Sequence, residues 1–295
     1  MKIFVTGATG FVGSAVVQEL IEAGHDVLAL ARSDASAKRL AEWGAGVHRG
    51  DLDDVETLAR GAANADGVIH CAFNHDFSKF EANSAMDRRA IETLGGVLEG
   101  SDRPLLVTSG LALIAPGRLA LETDEGPKPS PAFPRASEAA AAALAARGVR
   151  VAVVRLPPTV HGEGDYQFVP TLVRIAREKR EAAYVGDGAN RWAAVHRLDA
   201  ARVYRLAIEH GAIDGVYHAI AEEGIPFRDI AGEIGRGLDV PVVSKSGDGA
   251  KEYFTWFEIF AGMDLAGSSA RTRASLGWEP TRPGLLDDIA NAGYL

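Results

Sequence analysis

The sequence predicts an α/β fold: a doubly wound parallel sheet with a smaller C-terminal lobe. The first observation is that short apolar segments alternate with helically spaced stretches along the first half of the chain. The second is a glycine-rich turn, TGATGFVG at residues 6–13, that directly follows the apolar segment Ile3–Val5. The third is the composition, 47% hydrophobic and 24% charged over 295 residues, which is typical of a globular protein with one large domain.

Six segments have the apolar pattern of buried strands, and helical spacing lies between most of them: Ile3–Val5, Val27–Leu30, Val47–Arg49, Val68–Cys71, Leu105–Thr108 and Val151–Val154. The alanine-rich segment Ser137–Arg147 predicts a helix by propensity. After residue 158 the pattern loosens. It still predicts helices at Val169–Lys179, Asp199–Glu209 and Phe227–Arg236, and strands at Val216–Ala219 and Val240–Val243.

Charge and cysteine content exclude several classes of protein. A net charge of −9 argues against general affinity for nucleic acid or anionic membranes. The single cysteine, Cys71, excludes an internal disulfide. No uncharged apolar run reaches the ~18 residues of a membrane span, and no signal peptide is visible. We therefore expect a cytoplasmic monomer or homodimer that acts on a small molecule and binds neither nucleic acid nor membrane.

The glycine-rich turn predicts a dinucleotide site. Gly7, Gly10 and Gly13 have the spacing of a strand-to-helix turn whose backbone approaches a pyrophosphate at a helix N-terminus. Ordinary turn chemistry is the alternative for the glycines alone. We assign residues 1–160 to a dinucleotide-binding domain, to which a segment near 190–220 returns, and residues 161–295 mainly to a substrate-binding lobe.

Two further positions lie where a dinucleotide would need them. Arg32-Ser33 end the second strand, where an acidic residue would bind the 2′-hydroxyl of NAD and an arginine suits the 2′-phosphate of NADP. The pair therefore favours NADP(H) over NAD(H), and a solvated surface charge is the alternative for Arg32. Asp51-Leu52 follow the third strand, where a carboxylate can accept a hydrogen bond from adenine; the alternative is an N-cap for a helix over 53–60.

Several motifs resemble the extended short-chain dehydrogenase/reductase superfamily, the relatives of NAD-dependent epimerases and dehydratases. Residues 6–13 match its TGxxGxxG, residues 158–162 (PTVHG) resemble its PGNVYG turn, and residues 274–280 (ASLGWEP) resemble its LGWxP. The resemblance covers the whole chain and implies a Rossmann sheet with NAD(P) at the carboxyl ends of the strands. The residues expected to hold that cofactor are Gly7, Thr9, Gly10, Phe11, Val12, Gly13, Arg32, Ser33, Asp51, Leu52, Cys71, Ala72, Phe73, Thr108 and Pro157.

The family's catalytic pattern is not matched. Its tyrosine and lysine, four residues apart, align with Pro134 and Glu138, and its polarising serine aligns with Gly110. No tyrosine in the chain is followed four residues later by a lysine, so a shifted alignment restores nothing. Proline cannot donate a proton, and a positioned general acid contributes about 10²–10⁴-fold to rate. The family's usual chemistry, which depends on the tyrosine, is therefore excluded.

Ser109 and His161 are the candidate catalytic residues that remain. Ser109 ends the fifth strand and could polarise a substrate oxygen, or only bond to cofactor or backbone. His161 replaces the tyrosine of the PGNVYG turn and could exchange protons, or be structural. Arg135 and Lys128 could hold an anionic substrate or be solvated loop charges. No histidine or cysteine spacing resembles a metal site.

The predicted function is an NADP(H)-dependent oxidoreductase that reduces a small carbonyl or activated double bond without a tyrosine acid. Two alternatives stay open: a non-catalytic NADP-sensing module, and an epimerase or dehydratase that retains its cofactor.

Overall fold

The computed structural model describes the backbone of all 295 residues and every side chain except that of Phe77. Its strands are β1 Lys2–Thr6, β2 Asp26–Ala31, β3 Gly46–Arg49, β4 Gly67–His70, β5 Leu105–Gly110, β6 Val151–Leu156, β7 Thr159–His161, β8 Ala182–Val185, β9 Arg191–His196, β10 Val216–His218, β11 Glu222–Pro226 and β12 Val242–Lys245. Its helices are α1 Phe11–Glu22, α2 Asp34–Glu42, α3 Val55–Ala63, α4 Phe80–Leu98, α5 Ser137–Ala146, α6 Phe168–Lys179, α7 Arg197–Glu209, α8 Phe227–Leu238, α9 Gly247–Phe254, α10 Glu258–Ala261, α11 Ala270–Leu276 and α12 Leu285–Asn291.

Within the described backbone, seven strands form one sheet in the order β10-β6-β5-β4-β1-β2-β3. Every neighbouring pair in it is parallel. The order runs outward from β1 in both directions, so the carboxyl ends of β1 and β4 meet at the point where the winding reverses. The predicted doubly wound parallel sheet is confirmed.

Both faces of the sheet are covered by helices because its strands carry apolar side chains on both sides. In β1, Ile3 and Val5 pack into the core beneath α1 and α7, whereas Phe4 packs into the core beneath α3, α4 and α5. All three side chains are fully buried, and each contributes about 1.5–3 kcal/mol relative to exposure.

The C-terminal lobe contains two small sheets, β11-β9-β7 and β12-β8. Its core is aromatic: Trp192 packs edge-on against Phe227 and Phe257, and all three are fully buried. The predicted helices near residues 169, 199 and 227 are present, and the predicted strand Val240–Val243 begins two residues later, as β12.

The chain crosses between the lobe and the main sheet more than once. After β7 and β9 pair in the lobe, α7 packs on α1, where Arg205 Nε lies 2.6 Å from Glu19 Oε1. β10 then extends the main sheet beside β6, and β11 returns to pair with β9. Among the described residues, no helix is long and apolar enough to cross a membrane.

Candidate active site

A cleft of about 1290 Å³ lies between the carboxyl edge of the main sheet and the C-terminal lobe. It has two halves. We name them after their predicted roles: the nucleotide half is lined by the β1–α1 turn and the ends of β2, β3 and β4, and the substrate half by the end of β5, the 132–138 segment and aromatic residues of the lobe. A ligand crevice at this edge is the one expected of open α/β sheets.

The glycines of the β1–α1 turn are required by close backbone contact. Gly7 has φ +68°, and a Cβ there would lie 2.7 Å from Ala72 N; a Cβ on Gly13 would lie 2.1 Å from Gly7 O. Gly10 caps α1 with no side-chain hydrogen bond, and the first turn carries no acidic residue. The first amides of α1 therefore lack a side-chain acceptor, and this end of the helix fits a pyrophosphate.

In the nucleotide half, Arg32 and Asp51 line the cleft side by side, with Arg32 Nε 3.9 Å from Asp51 Oδ2. Arg32 is exposed and able to move toward a ligand. Asp51 is not a helix cap: α3 is capped by Asp54, which accepts a hydrogen bond from Thr57 N. The N-cap alternative for Asp51 is wrong.

Ser33, which the sequence placed among the cofactor residues, lies at the N-terminus of α2. Its hydroxyl caps α2 by accepting from Ser36 N at 3.2 Å, and it does not line the cleft. Serine is a preferred residue at the position just before a helix, because its hydroxyl can accept from an amide of the first turn.

The other predicted cofactor residues line the cleft together: Gly7, Thr9, Gly10, Phe11, Val12, Gly13, Leu52, Cys71, Ala72, Phe73, Thr108 and Pro157. Cys71 is half-buried, and burial raises the pKa of its thiol to about 12, so it stays protonated. Thr108 Oγ1 lies 2.8 Å from His70 O and 2.9 Å from the Tyr204 hydroxyl, which fixes the end of β5 against β4 and α7.

Of the two predicted catalytic residues, only Ser109 lines the cleft. It makes no hydrogen bond to another described side chain, so its hydroxyl is available to a ligand. His161 is fully buried with Nδ1 2.6 Å from Asp288 Oδ2 on α12, and its Nε2 has no described partner. The side chain of His161 thus lies outside the cleft, because β7 turns it toward α12 while Val160 lines the cleft.

Glu138 lies at the first turn of α5, where the resemblance places a lysine. Both of its carboxylate oxygens bind Arg155, at 3.0 and 2.7 Å. Arg155 is fully buried and also lies 3.2 Å from His218 Nε2. The negative charge of Glu138 is therefore neutralised from behind the site.

A buried polar network, which sequence reasoning missed, runs behind the substrate half. Ser137 Oγ donates to Asp87 Oδ2 at 2.5 Å, and His70 Nε2 lies 3.1 Å from Asp87 Oδ1. His70 Nδ1 lies 2.8 Å from Thr6 Oγ1. The network reaches the cleft at Arg135, whose Nε donates to Ser137 Oγ at 3.1 Å. Its hydrogen-bonded pairs lie up to 64 residues apart in the sequence, so no local pattern connects them.

Comparison with known proteins identifies a family model and sequence relatives that match most of the chain. The family model described as RmlD substrate binding domain matches residues 1–245. An uncharacterized protein of Schizosaccharomyces pombe is 46% identical over 295 residues, which covers 100% of both chains. The 2-alkyl-3-oxoalkanoate reductase of Stenotrophomonas maltophilia is 31% identical over 264 residues, 83% of this chain and 78% of that protein.

The solved structure of dTDP-glucose 4,6-dehydratase from Streptomyces venezuelae, determined with NAD bound, has the same fold. It superposes with a TM-score of 0.76 at 20% identity and covers 99% of this chain and 95% of that one. Fold, glycine turn and sequence relatives together define a member of the extended short-chain dehydrogenase/reductase superfamily. Within it, the chain belongs to the RmlD substrate-binding domain family.

Proposed function

We propose that the protein is an NADP(H)-dependent oxidoreductase that reduces a small organic carbonyl or an activated double bond. The observation that carries the proposal is the continuity of one cleft from the glycine turn of α1 to the Ser109 hydroxyl at the end of β5. A dinucleotide held by its pyrophosphate at the first end can extend its nicotinamide toward the second.

The residues present fit such a cofactor. The uncapped amides of α1 would hold the pyrophosphate, Asp51 would accept from the adenine amino group, and Arg32 would pair with the 2′-phosphate of NADP. The dehydratase of the same fold binds NAD, which supports a nicotinamide dinucleotide here. Arg32 supports the choice of NADP.

The reduced cofactor, when bound, supplies a hydride. Ser109 would donate a hydrogen bond to the substrate oxygen on which negative charge develops, and water entering the open cleft would supply the proton. An activated double bond suits this site because hydride addition to it can precede protonation. The related 2-alkyl-3-oxoalkanoate reductase supports a carbonyl-bearing substrate.

The test is loss of NADPH absorbance against a panel of enones, quinones and aldehydes. Ser109→Ala should lower kcat/KM by about 10²-fold, the usual effect of removing one oxyanion donor, and leave NADPH affinity unchanged. Ser275→Ala, on α11 and outside the cleft, is the matched serine control and should behave as wild type. Turnover that survives Ser109→Ala intact would contradict the role of Ser109.

A second candidate, an NADP-binding module without turnover, is favoured by one observation. Proline and glutamate occupy positions 134 and 138, where the superfamily pattern has its acid and its lysine. Micromolar NADPH binding with no consumption across the whole panel would select this candidate over the oxidoreductase.

A further inference from the structure

Arg135 is a cation without a carboxylate partner. Its guanidinium lines the cleft and donates only to neutral acceptors: Ser137 Oγ at 3.1 Å and the Thr108 carbonyl at 3.3 Å. Among the described residues, no carboxylate lies within ion-pair distance of it. Burial lowers the pKa of Arg135, yet arginine stays charged, so the site holds a partly desolvated positive charge.

The nearby acids are occupied elsewhere. Asp87 is one hydroxyl away, but one of its oxygens accepts from Ser137 and the other contacts His70. Glu138 uses both oxygens on Arg155. Asp87 and Glu138 favour the charged form of Arg135 through space, but their oxygens are bonded to other groups, so neither carboxylate contacts the guanidinium directly.

The guanidinium is also held in a fixed orientation. It stacks over the Phe73 ring with its carbon 4.3 Å from the ring centroid, and its Nε and one terminal nitrogen are bonded. The other terminal nitrogen makes no hydrogen bond to a described residue. A planar fork positioned in this way matches the geometry of a carboxylate.

One wall of the substrate half is apolar. Trp256 and Ile259 are 53% and 63% exposed, and both line the cleft together with Phe260 and Met263. Exposed apolar side chains gathered at one cleft indicate a ligand with an apolar body. Lys128, the other predicted anion-binding residue, is exposed and does not line the cleft.

We propose that Arg135 binds the carboxylate of an apolar, planar organic acid whose body lies against the Trp256–Met263 wall. The inference rests on the proposed function, because the acid is taken to be the molecule that the oxidoreductase reduces. An α,β-unsaturated acid combines the two requirements: the carboxylate meets Arg135, and the conjugated double bond is the hydride acceptor.

The experiment measures cinnamate and cinnamamide binding to the NADP⁺-loaded protein by calorimetry. The two probes share an apolar planar body and differ in charge. Wild type should bind cinnamate at least ~10-fold more tightly than the amide, about 1.4 kcal/mol. Arg135→Gln should abolish that preference, and Arg135→Lys should keep part of it because lysine offers charge without the planar fork.

Arg174→Gln, on the exposed face of α6, is the matched control and should retain the full preference. NADP⁺ affinity and the thermal unfolding midpoint of each variant show that fold and cofactor site are intact. The proposal would be overturned if wild type bound the acid and the amide equally or did not bind cinnamate at all. It would also be overturned if Arg135→Gln bound cinnamate as tightly as wild type. A parallel loss of NADP⁺ affinity would also overturn it, since Arg135 would then contact the cofactor.

These results separate the two proposals. If cinnamate binds through Arg135 but no compound of the panel consumes NADPH, the anion site is supported and the reductase is overturned. Consumption of NADPH with neutral enones, unaffected by Arg135→Gln, would keep the reductase and remove the anion site.

Discussion

The two halves of the cleft are built by different means. The nucleotide half is a backbone surface, in which the absence of side chains at Gly7 and Gly13 is what matters. The substrate half is a side-chain surface, in which Arg135 is held by the carbonyl of Thr108, 27 residues away, and Glu138 by Arg155, 17 residues away. The first half is sensitive to added atoms and the second to removed charges. The following substitutions test that difference.

The largest effect is expected from Glu138→Gln. It leaves the fully buried Arg155 without its carboxylate, and removal of one partner of a buried pair costs about 3–5 kcal/mol of unfolding free energy. Urea denaturation measures it. A matched loss of charge in an exposed pair, Glu178→Gln beside Arg174, should change little. A loss below about 1 kcal/mol at position 138 would show that the substrate half does not depend on this pair.

Gly13→Ala tests the nucleotide half. Its Cβ would lie 2.1 Å from the Gly7 carbonyl oxygen, so the turn must open, and we expect NADPH affinity to fall by about 10²-fold or more. Calorimetry measures the affinity. The control is Gly96→Ala in α4, where no atom lies within 4 Å of the added carbon; it should stabilise the fold by about 0.5–1 kcal/mol. Normal NADPH binding by Gly13→Ala would refute the proposal that the backbone of the β1–α1 turn holds the pyrophosphate.

Arg32→Asp tests the one charged contact expected in the nucleotide half. NADPH affinity should fall by roughly 10- to 100-fold, the value of a charge-assisted hydrogen bond, while NADH affinity changes far less. Binding titrations with NADPH and NADH measure both affinities for the wild type and for Arg32→Asp. Equal affinities of the unmodified protein for NADPH and NADH would contradict the choice of NADP.

The smallest effect is a dependence of stability on pH. His218 Nδ1 contacts the Ser268 carbonyl at 2.7 Å, so it carries the proton, and Nε2 must accept from Arg155. Burial lowers the pKa of His218 below its ordinary 6.5, and the Arg155 charge adds a small contribution in the same direction. As pH falls through ~6.5, the unfolded chain takes up a proton that the folded chain does not, and stability is lost by up to about 1.4 kcal/mol per pH unit.

Unfolding free energies at several pH values check this dependence. His218→Gln should give a shallower decline on the acid side, whereas His210→Gln, at a more exposed histidine on the surface, should not change the slope. Identical slopes for wild type and His218→Gln would contradict the assigned protonation state.

Sequence reasoning succeeded where the determinants are local. The alternation of Ile3, Phe4 and Val5 between two cores, and the glycines that follow, are readable within a dozen residues. It failed where partners are remote: His161 is withdrawn from the cleft by Asp288, 127 residues away, and Ser137 is tied to Asp87 across 50 residues. The lobe strands β7, β8, β9 and β11 were not predicted, because the apolar pattern loosens after residue 158.

The path of the chain through β9, α7, β10 and β11 has a thermodynamic consequence. The chain passes from the lobe to the main sheet and back, with β9 and β11 paired in the lobe and β10 paired in the main sheet. Unfolding of one region would therefore pull on strands of the other. Heating should therefore give a single cooperative transition. A nucleotide bound at one end should raise the melting temperature of the whole molecule, the aromatic core included.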